Sequence, residues 1–560
     1  MHTENRRALV FLLYDPDGIC DRSVLDTLHG FRPHVESILV VVNGALQPDS
    51  LAAVQEVADR VLERPNVGYD VGAYRDALAL LGWDHIRNLD ELLLVNYTFF
   101  GPVESFAPTL DRMAEEDIDF WGITDHPSVT PHPYKGRGTM PTHLQSYWLA
   151  VRGRLLRDPA FEHYWRDLPD PTSYSEVVSI FECQFTEHFS NLGFSWKAAF
   201  PADNYGVANT TMEAPLALLQ DGCPLFKKRL YFHDVPALVD QGIVTAAVTQ
   251  EAVRLGYSED LIVEGVVRRA TTRELAEGMG ASYIQVPGMA DDVASESSRL
   301  TVRMVSADSK PWKTLANEGV ASLMGDADVL LIAPRPPKPG LRADGIHLRY
   351  RGASDAITAN PLFITGLFAD HALLGAVYPY IQVVGTAVRG RKWFSDSLLA
   401  KSLAVELGLP GRFSQTSPVA PYRGAAAYRR ELVDLVAAAI EHGGGWERLV
   451  ELVGDESLLH SILDLLTGDV ARSGGYFVAE TGTLAEAQMS MLLFVDLYSH
   501  TPKVFREYTH YPYTGRVIAP TLKNRVGKAL QNVSPNAFDR VHDLELQARS
   551  ALGGLRKAKK

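Results

Sequence analysis

The chain has 560 residues, of which 46% are hydrophobic and 22% are charged, and its formal net charge is -14. This length exceeds one ordinary hydrophobic core, so we expect two or more globular domains. The acidic balance argues against nucleic acid as a partner, because nucleic-acid binding needs a basic surface. The three cysteines, Cys20, Cys183 and Cys223, are widely spaced. They indicate neither a disulfide framework nor a zinc site and fit a reducing compartment.

The first half of the chain alternates between apolar runs and helical patterns. Strands are predicted at residues 7–14, 37–42, 92–95, 119–124 and 146–151, and helices at residues 23–31, 50–61, 159–167 and 173–191. Such alternation implies a mostly parallel sheet covered on both faces by helices. We therefore predict an α/β fold.

Two apolar segments bear on localisation. The run before Asp15 has only about seven residues and no cleavage site after it, which is marginal for a signal peptide. Residues 372–388 carry no charge but include Pro379 and Gln382, so a buried helix end and strand are favoured over a membrane span. These features predict a cytoplasmic protein. A basic terminus at residues 556–560 leaves open a peripheral contact with the inner face of the cell membrane, although a solvated helix is the favoured interpretation.

A glycine-containing loop, NVGYDVG, precedes a helical pattern at residues 66–72. Gly68 and Gly72 are four apart, so they do not form the dinucleotide fingerprint, and no P-loop lysine follows. Asp70 between them would repel phosphate at the helix start, but it can accept hydrogen bonds from a base or ribose. Two glycines before a helix are also ordinary turn chemistry. The loop disfavours a nicotinamide-dependent enzyme and leaves a nucleotide-sugar site open.

Polar residues follow several of the predicted strands, where open α/β sheets bind ligands. Asp15 and Asn43 follow the first two strands, and Asn96 and Thr98 follow the strand at residues 92–95. Asn and Thr bind hard cations much more weakly than carboxylates do. We therefore assign no metal ligand and keep Mg²⁺ and Mn²⁺ only as cations to test. An ordinary polar strand end explains Asn96 and Thr98 equally well.

Two further groups of polar residues lie downstream. Asp125, His126, His132 and His143 are close in sequence, but their spacing matches no metal motif, so structural or substrate hydrogen bonds are favoured. Glu182 lies in a largely apolar helical pattern, where burial would raise its pKa and suit it to general-base catalysis. From the pattern alone, a surface glutamate on an amphipathic helix is the favoured interpretation.

Seven segments between residues 66 and 234 then occur in a specific order: NVGYDVGAY, LLLVNYTFFGPV, DFWGITDH, HLQSYWLAVR, HYWRDLP, FECQFTEHF and CPLFKKRLYFHD. Together they resemble the rhamnan synthesis protein F family of bacterial glycosyltransferases, which act on cell-surface polysaccharides rich in rhamnose or related sugars. The resemblance implies a GT-A-like, Rossmann-type domain that binds a nucleotide sugar, with the acceptor side built from the later elements.

The resemblance also implies roles for particular residues. Glu182 matches a helical glutamate that serves as catalytic base in the wider GT-A class, and Tyr97 departs from the family's polar motif. The implied donor-binding residues are Asp15, Asn43, Asn66, Gly68, Asp70, Gly72, Asn96 and Thr98, and the implied acceptor-side residues are Asp125, His143, Gln145 and Ser146. The implied reaction is an inverting sugar transfer, for example of rhamnose from dTDP-rhamnose, to a lipid-linked or nascent glycan. Backbone amides and nearby Arg or Lys would meet the phosphate charge.

The second half resembles the same family less closely, through RYRGASDAITANPLF, KWFSDSLLAKSLAVELGL and SPVAPYRGAAAYRREL. In a pattern that starts at His460, Leu463 stands where the family carries a glutamate, and an apolar side chain cannot accept a proton. Asp464 follows directly. We therefore predict a second, degenerate glycosyltransferase-like α/β domain for scaffolding or acceptor binding.

The predicted domain order has four parts. A GT-A-like domain occupies residues 1–238, a helical connector residues 239–298, the degenerate domain residues 299–515 and a basic helical tail residues 516–560. A non-catalytic, glycosyltransferase-like partner in polysaccharide assembly remains the alternative function, because no acidic residue occurs between Asn96 and Thr98.

Overall fold

The computed structural model describes residues 6–134, 137–232, 238, 242–286, 300–340, 344–380, 397–409, 419–488 and 491. These residues lie within one compact unit, Met1–Tyr498. The predicted basic tail at 516–560 and the second part of the uncharged segment, 381–388, lie outside the described residues. The α/β class predicted from the sequence is confirmed.

The first half of the chain forms an eight-stranded sheet. Its strands are β1 (Arg7–Leu13), β2 (Ser37–Asn43), β3 (Arg60–Arg64), β4 (Glu91–Asn96), β6 (Phe120–His126), β7 (His143–Leu144), β8 (Trp148–Arg152) and β9 (Trp196–Phe200). The order is β3-β2-β1-β4-β8-β6-β7, and β9 also pairs with β6. Strands β3, β2, β1 and β4 are parallel, whereas β8 is antiparallel to both β4 and β6. The amino end of β8 therefore lies at the edge where β4 and β6 end.

Helices cover both faces of this sheet. They are α1 (Arg22–Phe31), α2 (Pro48–Val57), α3 (Tyr69–Leu81), α4 (Trp83–Arg87), α5 (Ala107–Ala114), α6 (Gly153–Arg157), α7 (Pro159–Asp167), α8 (Tyr174–Val177), α9 (Cys183–Asn191), α10 (Thr210–Glu213) and α11 (Pro215–Gln220), with short 3-10 turns at Arg32–His34, Ala202–Asn204 and Lys228–Tyr231. Alternate residues of β1 enter opposite cores, because side chains of a strand point to alternate faces. Val10 packs with α3 and α9, whereas Phe11 packs with α1 and α5.

A two-stranded ribbon joins a distant segment to the first sheet's polar edge. Strand β5 (Phe99–Phe100) follows β4 directly, and β10 (Phe226–Lys227) pairs with it in antiparallel register. The register sets Lys227 opposite Phe99. This pairing brings residue 227 to the end of β4, although about 130 residues separate the two in sequence.

The second half forms a six-stranded sheet. Its strands are β11 (Ser282–Gln285), β12 (Val302–Ser306), β13 (Val329–Ala333), β14 (Leu374–Pro379), β15 (Ala426–Arg429) and β16 (Phe477–Thr483), in the order β11-β16-β14-β15-β13-β12. Only β15 runs antiparallel to its neighbours among the described pairings. Its helices and turns are Ala307–Ser309, Pro311–Glu318, Val320–Met324, Asp344–Thr358, Pro361–Asp370, Ser397–Glu406, Arg430–His442, Trp446–Val453 and Glu456–Ser473.

Three helices connect the two sheets: Thr245–Arg254, Glu259–Val266 and Thr272–Gly278. The predicted connector is thus mostly helical, but its residues 282–285 form the edge strand β11 of the second sheet. The connector's apolar side chains share one core with that sheet. None of the described helices combines the length and apolar character needed to cross a membrane.

Two predicted helices differ from the structure. The segment 50–61 is divided into α2 and the strand β3, because Ala58 is extended and ends the helix. The segment 173–191 contains a π-helical turn, Val178–Glu182, between α8 and α9. Ser173 caps the start of α8, since its side chain accepts a hydrogen bond from the Glu176 amide.

Candidate active site

Polar residues converge where β4 ends and β8 begins. The β4–β8 register pairs Val95 with Trp148, and the Asn96 amide donates to the Tyr147 carbonyl at 3.1 Å. The residues just before β8, including Ser146, therefore lie beside the end of β4. The expected ligand-binding edge of the sheet thus contains both predicted groups, although they are about fifty residues apart in sequence.

The glycine-containing loop is held against this edge by close packing. Gly68 has a φ of 73°, and a Cβ there would approach Asp170 Oδ1 to 2.5 Å. A Cβ on Gly72 would approach the Val67 carbonyl to 2.3 Å, so the helix needs glycine to fit under its own loop. Asn43 fixes the same loop by donating to the Tyr69 carbonyl at 3.1 Å.

Asn66, which begins the glycine-containing loop, is exposed. Asn43 also accepts a hydrogen bond from Arg64 at 2.5 Å and is buried. The structure thus brings Asn43, Gly68 and Gly72 together as groups that shape the loop.

A continuous hydrogen-bonded chain joins four side chains at this polar edge of the first sheet, here termed the cleft: Asp70, Asn96, Thr98 and Lys227. Asn96 Nδ2 donates to Asp70 Oδ2 at 3.1 Å, and Asn96 Oδ1 accepts from Thr98 Oγ1 at 2.7 Å. Lys227 Nζ then donates to Thr98 Oγ1 at 3.0 Å. The ammonium also lies 3.5 Å from the centroid of the Tyr147 ring, a cation–π contact. A carboxylate and an ammonium therefore terminate opposite ends of one polar chain.

Burial shifts the pKa values of Asp70 and Lys227 toward neutral pH. It raises the pKa of Asp70 to about 6, the hydrogen bond from Asn96 opposes this, and the negative charge of Glu182 adds to it. Burial lowers the pKa of Lys227 to about 7, although Glu182 and Asp70 oppose that change. These mutual charge effects indicate that Asp70, Glu182 and Lys227 lie close to one another.

Glu182 is the last residue of the π-helical turn, and its side chain is 21% exposed. Its Oε2 accepts two hydrogen bonds from Ser146, one from the amide at 2.9 Å and one from the hydroxyl at 2.6 Å. These bonds fix one carboxylate oxygen. The other oxygen, Oε1, accepts no hydrogen bond from the described residues and lies 4.0 Å from His143 Nε2. The carboxylate is thus oriented but still able to bind a hydroxyl group.

His143 lies directly behind Glu182. Its Nδ1 donates to the Pro141 carbonyl at 2.7 Å, which leaves Nε2 without a proton in the neutral ring. Burial lowers the pKa of His143, which favours the neutral ring, although the nearby Glu182 opposes this. The ring also stacks on His126, with centroids 5.4 Å apart. These contacts make His143 a packed support for Glu182.

Gln145 and Asp125 form hydrogen bonds with other residues of the protein. Gln145 accepts from Thr124 Oγ1 at 2.6 Å and donates to Asn209 at 3.3 Å. Asp125 accepts from the Ala202 amide at 2.7 Å. Of the four predicted acceptor-side residues, Ser146 and His143 contact or approach Glu182, whereas these two order neighbouring loops.

Asp15 lies in a separate pocket at the end of β1. Arg268 of the connector binds both of its carboxylate oxygens, at 2.9 and 2.7 Å. The neighbouring Arg269 lies over the Tyr97 ring, 5.3 Å from the centroid. Lys228 and Asp21 line the same pocket. Asp15 therefore joins the connector to the first sheet and takes no part in the hydrogen-bonded chain formed by Asp70, Asn96 and Thr98.

Several cleft residues were missed in the sequence. Lys227 is one, and Tyr134 and Tyr174 are two more. Burial raises the pKa of both tyrosines, and the negative charge of Glu182 adds to this, so both lie near Glu182. Tyr134 and Tyr174 are 47% and 58% exposed, and Arg229 donates to the Tyr174 hydroxyl at 3.4 Å. Lys227 could have been suspected from the sequence, because a pair of lysines lies within the apolar segment CPLFKKRLYF. Buried lysines are rare without a function or a partner.

The polar edge of the second sheet differs from this arrangement. Asp464 accepts from Trp312 Nε1 at 2.8 Å and from Arg335 Nη2 at 2.8 Å. Leu463, at the position where the resemblance implied a glutamate, is buried in the core. Lys310 and Lys313 both bind Glu456.

The fold defines an α/β protein whose first sheet gathers polar side chains at the edge where its parallel strands end. Residues 38–303 match the family model of rhamnan synthesis protein F, which confirms the resemblance drawn from the seven motifs. The match covers the glycine-containing loop, the end of β4, Glu182 and Lys227. It supports a glycosyltransferase.

Two individual proteins are similar to this chain at low sequence identity, each over part of its length. An uncharacterized protein of Sinorhizobium fredii, y4gN, is 25% identical over 211 residues, which cover 36% of this chain and 52% of that protein. Virulence protein VirA of Vibrio anguillarum is 26% identical over 149 residues, which cover 26% of this chain and 44% of that protein. The chain thus spans about half the length of the curated relatives that it matches.

Among solved structures, 4-diphosphocytidyl-2C-methyl-D-erythritol synthase from Anaerococcus prevotii aligns with 10% identity and a TM-score of 0.24, over 35% of this chain and 89% of that one. Because that score is well below 0.5, the alignment carries no functional information.

Proposed function

We propose that this chain is a glycosyltransferase that moves a sugar from a nucleotide-sugar donor to a cell-surface glycan, with Glu182 as general base. The proposal rests on how the two oxygens of this carboxylate are hydrogen-bonded. Ser146 holds one oxygen with two hydrogen bonds, and the other oxygen remains available at the cleft. Asp70 and Lys227 lie in the same cleft, within a region that matches rhamnan synthesis protein F.

The proposed step is an inverting displacement. Glu182 accepts the proton of an acceptor hydroxyl while that oxygen forms a bond to the anomeric carbon of the donor. The bond from this carbon to the diphosphate breaks, and nucleoside diphosphate leaves with the bonding electron pair. Ser146 contributes by holding the carboxylate in one orientation, since a positioned base accelerates transfer more than a mobile one does. Rhamnose from dTDP-rhamnose is the first donor to test, on a lipid-linked or nascent glycan.

The substitution Glu182→Gln tests the chemistry. It keeps the shape of the side chain but removes its basicity, so transfer should fall about 10²- to 10⁴-fold, the usual contribution of a general base. The matched control is Glu187→Gln, on an exposed residue of α9 five positions later, and it should retain wild-type transfer. Both variants should unfold at the wild-type temperature. Unchanged transfer by a folded Glu182→Gln variant would refute the catalytic role.

Donor identity needs a separate measurement. A panel of nucleotide sugars can be compared by thermal shift, because a ligand that binds only the native state raises the unfolding temperature. The expected result is stabilisation by one nucleotide sugar or a small set, with dTDP-rhamnose as the first candidate.

A second candidate function is a non-catalytic, glycosyltransferase-like partner in polysaccharide assembly. Tyr97 favours it, since no acidic residue occurs at the end of β4. In that case, polysaccharide assembly would require the folded chain but would tolerate Glu182→Gln. The two candidates therefore predict opposite results for the same variant.

A further inference from the structure

Transfer from a nucleotide sugar requires a positive group at the donor diphosphate, and GT-A-like proteins commonly use a divalent cation there. Hard cations prefer several oxygen ligands, with carboxylates foremost. The end of β4 offers Asn96, Tyr97 and Thr98, of which none is acidic. Throughout the part of the chain that the structure describes, no group of three or more His, Cys, Asp or Glu side chains is arranged to hold a metal ion.

The side chains at the end of β4 are also bonded to other groups of the protein. Asn96 Oδ1 accepts from both the amide and the hydroxyl of Thr98, and Asn96 Nδ2 donates to Asp70. The Tyr97 ring lies in the pocket with Arg269, and burial raises the pKa of its phenol, so it supplies no oxyanion. The residues present therefore do not fit a divalent cation.

An ammonium group lies at this position. Lys227 Nζ donates to Thr98 Oγ1 at 3.0 Å and therefore lies where a cation held by the residues after β4 would lie. Its position is fixed by the β5–β10 pairing and by the Tyr147 ring beneath it. The residue is half-buried, so its side chain is partly removed from water. Partial desolvation strengthens its attraction for an anion.

The geometry points to Lys227 as a built-in cation that binds the donor diphosphate of this site in place of a divalent metal ion. This inference rests on the proposed glycosyltransferase function and specifies how the leaving group is recognised. Thr98 and Tyr147 hold the ammonium in place before the donor arrives. Glu182 and Asp70 face the same ammonium from the π-helical turn and from α3, and Arg229 faces it from the turn that follows β10.

The test measures binding of dTDP, and of UDP in parallel, to the full chain by titration calorimetry, with EDTA and then with Mg²⁺. Wild-type affinity in EDTA should lie within about twofold of that in Mg²⁺. Lys227→Met should weaken binding about ten- to hundredfold in both, as expected for a lost hydrogen bond to a charged group. Lys227→Arg should recover part of the loss. The control Lys197→Met, at an exposed lysine paired with Glu116, should bind as wild type does.

Each failure has a distinct meaning. Binding that requires Mg²⁺ would overturn the role of Lys227 and leave the proposed transferase intact, as would wild-type affinity in Lys227→Met. If neither nucleotide nor any nucleotide sugar binds with or without metal, the proposed function fails and this inference fails with it. Should Lys227→Met not fold, the EDTA comparison on wild type and the Lys227→Arg variant still decide the question.

Discussion

Both sheets of this chain gather polar side chains at the edge where their parallel strands end, but the two edges pair these side chains differently. At the first edge, Glu182 keeps one carboxylate oxygen available, and Lys227 is anchored through a neutral hydroxyl. At the second edge, Asp464 is bound by an indole and a guanidinium. The polar side chains at the first edge thus leave one carboxylate oxygen open, whereas those at the second edge form a closed, mutually satisfied cluster.

The difference shows what separates a candidate catalytic carboxylate from a structural one. A buried carboxylate that receives strong donors on both oxygens stabilises the fold, and its removal leaves those donors unpaired. A carboxylate that is oriented through one oxygen can still accept a proton from a ligand through the other. We therefore propose that the second domain acts as a scaffold or in acceptor binding, and the following predictions test this contrast.

The largest expected effect on stability is at the second edge. Asp464→Ala leaves Trp312 Nε1 and the Arg335 guanidinium without their carboxylate, so the free energy of unfolding should fall by about 3 kcal/mol. Chemical denaturation measures this change, with Asp434→Ala, at an exposed position, as control. Sugar transfer at a temperature where the variant is folded should match wild type. A large loss of transfer without a loss of stability would show that the second edge is itself a functional site.

A smaller effect is expected from Ser146→Ala at the first edge. This variant removes the hydroxyl that donates to Glu182 Oε2 but keeps the amide bond to the same oxygen. Transfer should fall about tenfold, because hydrogen bonds to charged groups contribute about 1.5 kcal/mol or more. Steady-state kinetics should assign the loss to kcat rather than KM, and Ser175→Ala, at an exposed serine, is the control. An unchanged kcat would mean that the amide alone positions the base.

The pH dependence of nucleotide binding should differ from that of a metal-dependent site. Burial lowers the pKa of free Lys227 to about 7, so the ammonium is mostly present at pH 6 and mostly absent at pH 8. Affinity for dTDP in EDTA should fall about tenfold between these values, and binding near neutral pH should take up a proton. Calorimetry in two buffers of different ionisation enthalpy measures this uptake. Lys227→Arg, which stays charged, should lose most of this dependence.

The smallest expected effect concerns the connector. Arg268→Met removes the two hydrogen bonds to Asp15 and should lower the free energy of unfolding by about 1 kcal/mol near neutral pH. Burial raises the pKa of Asp15, but the bond from Arg268 and the backbone donors outweigh it and lower the pKa overall.

A carboxyl group whose pKa is lower in the native state than in the unfolded state stabilises the fold above its unfolded pKa. That stabilisation is lost as the pH falls through the native pKa. The difference between wild type and Arg268→Met should therefore shrink in acid. Arg22→Met, which breaks a more exposed pair with Glu264, should cost less than Arg268→Met at every pH.

Sequence patterns predicted the parts of the site that depend on local periodicity. The strand that ends at Asn96 and the loop around Gly68 were predictable because strands and turns leave short-range signals. The position of Lys227 at this site was not predictable, because it depends on the pairing of β5 with β10. Such long-range pairing has no local sequence signal. Glu182 was assigned to the surface from pattern alone, and only the family resemblance indicated a catalytic role. Asp15 was predictable as a strand-end residue, whereas its bond to Arg268, about 250 residues later, was not.

The π-helical turn at Val178–Glu182 has a consequence for how this segment can change. A π turn holds one residue more than an α turn, so it offsets the residues on either side by roughly a quarter rotation about the axis. Phe181, Phe185 and Phe189 remain aligned along the core, while Glu182 faces the cleft. Deleting a single residue here would restore a regular helix and rotate the carboxylate away without altering any side chain of the site. If Glu182 is the base that we propose, insertions and deletions at this turn should impair it as a substitution does, and related chains that differ in length here should differ in activity even where the glutamate is retained.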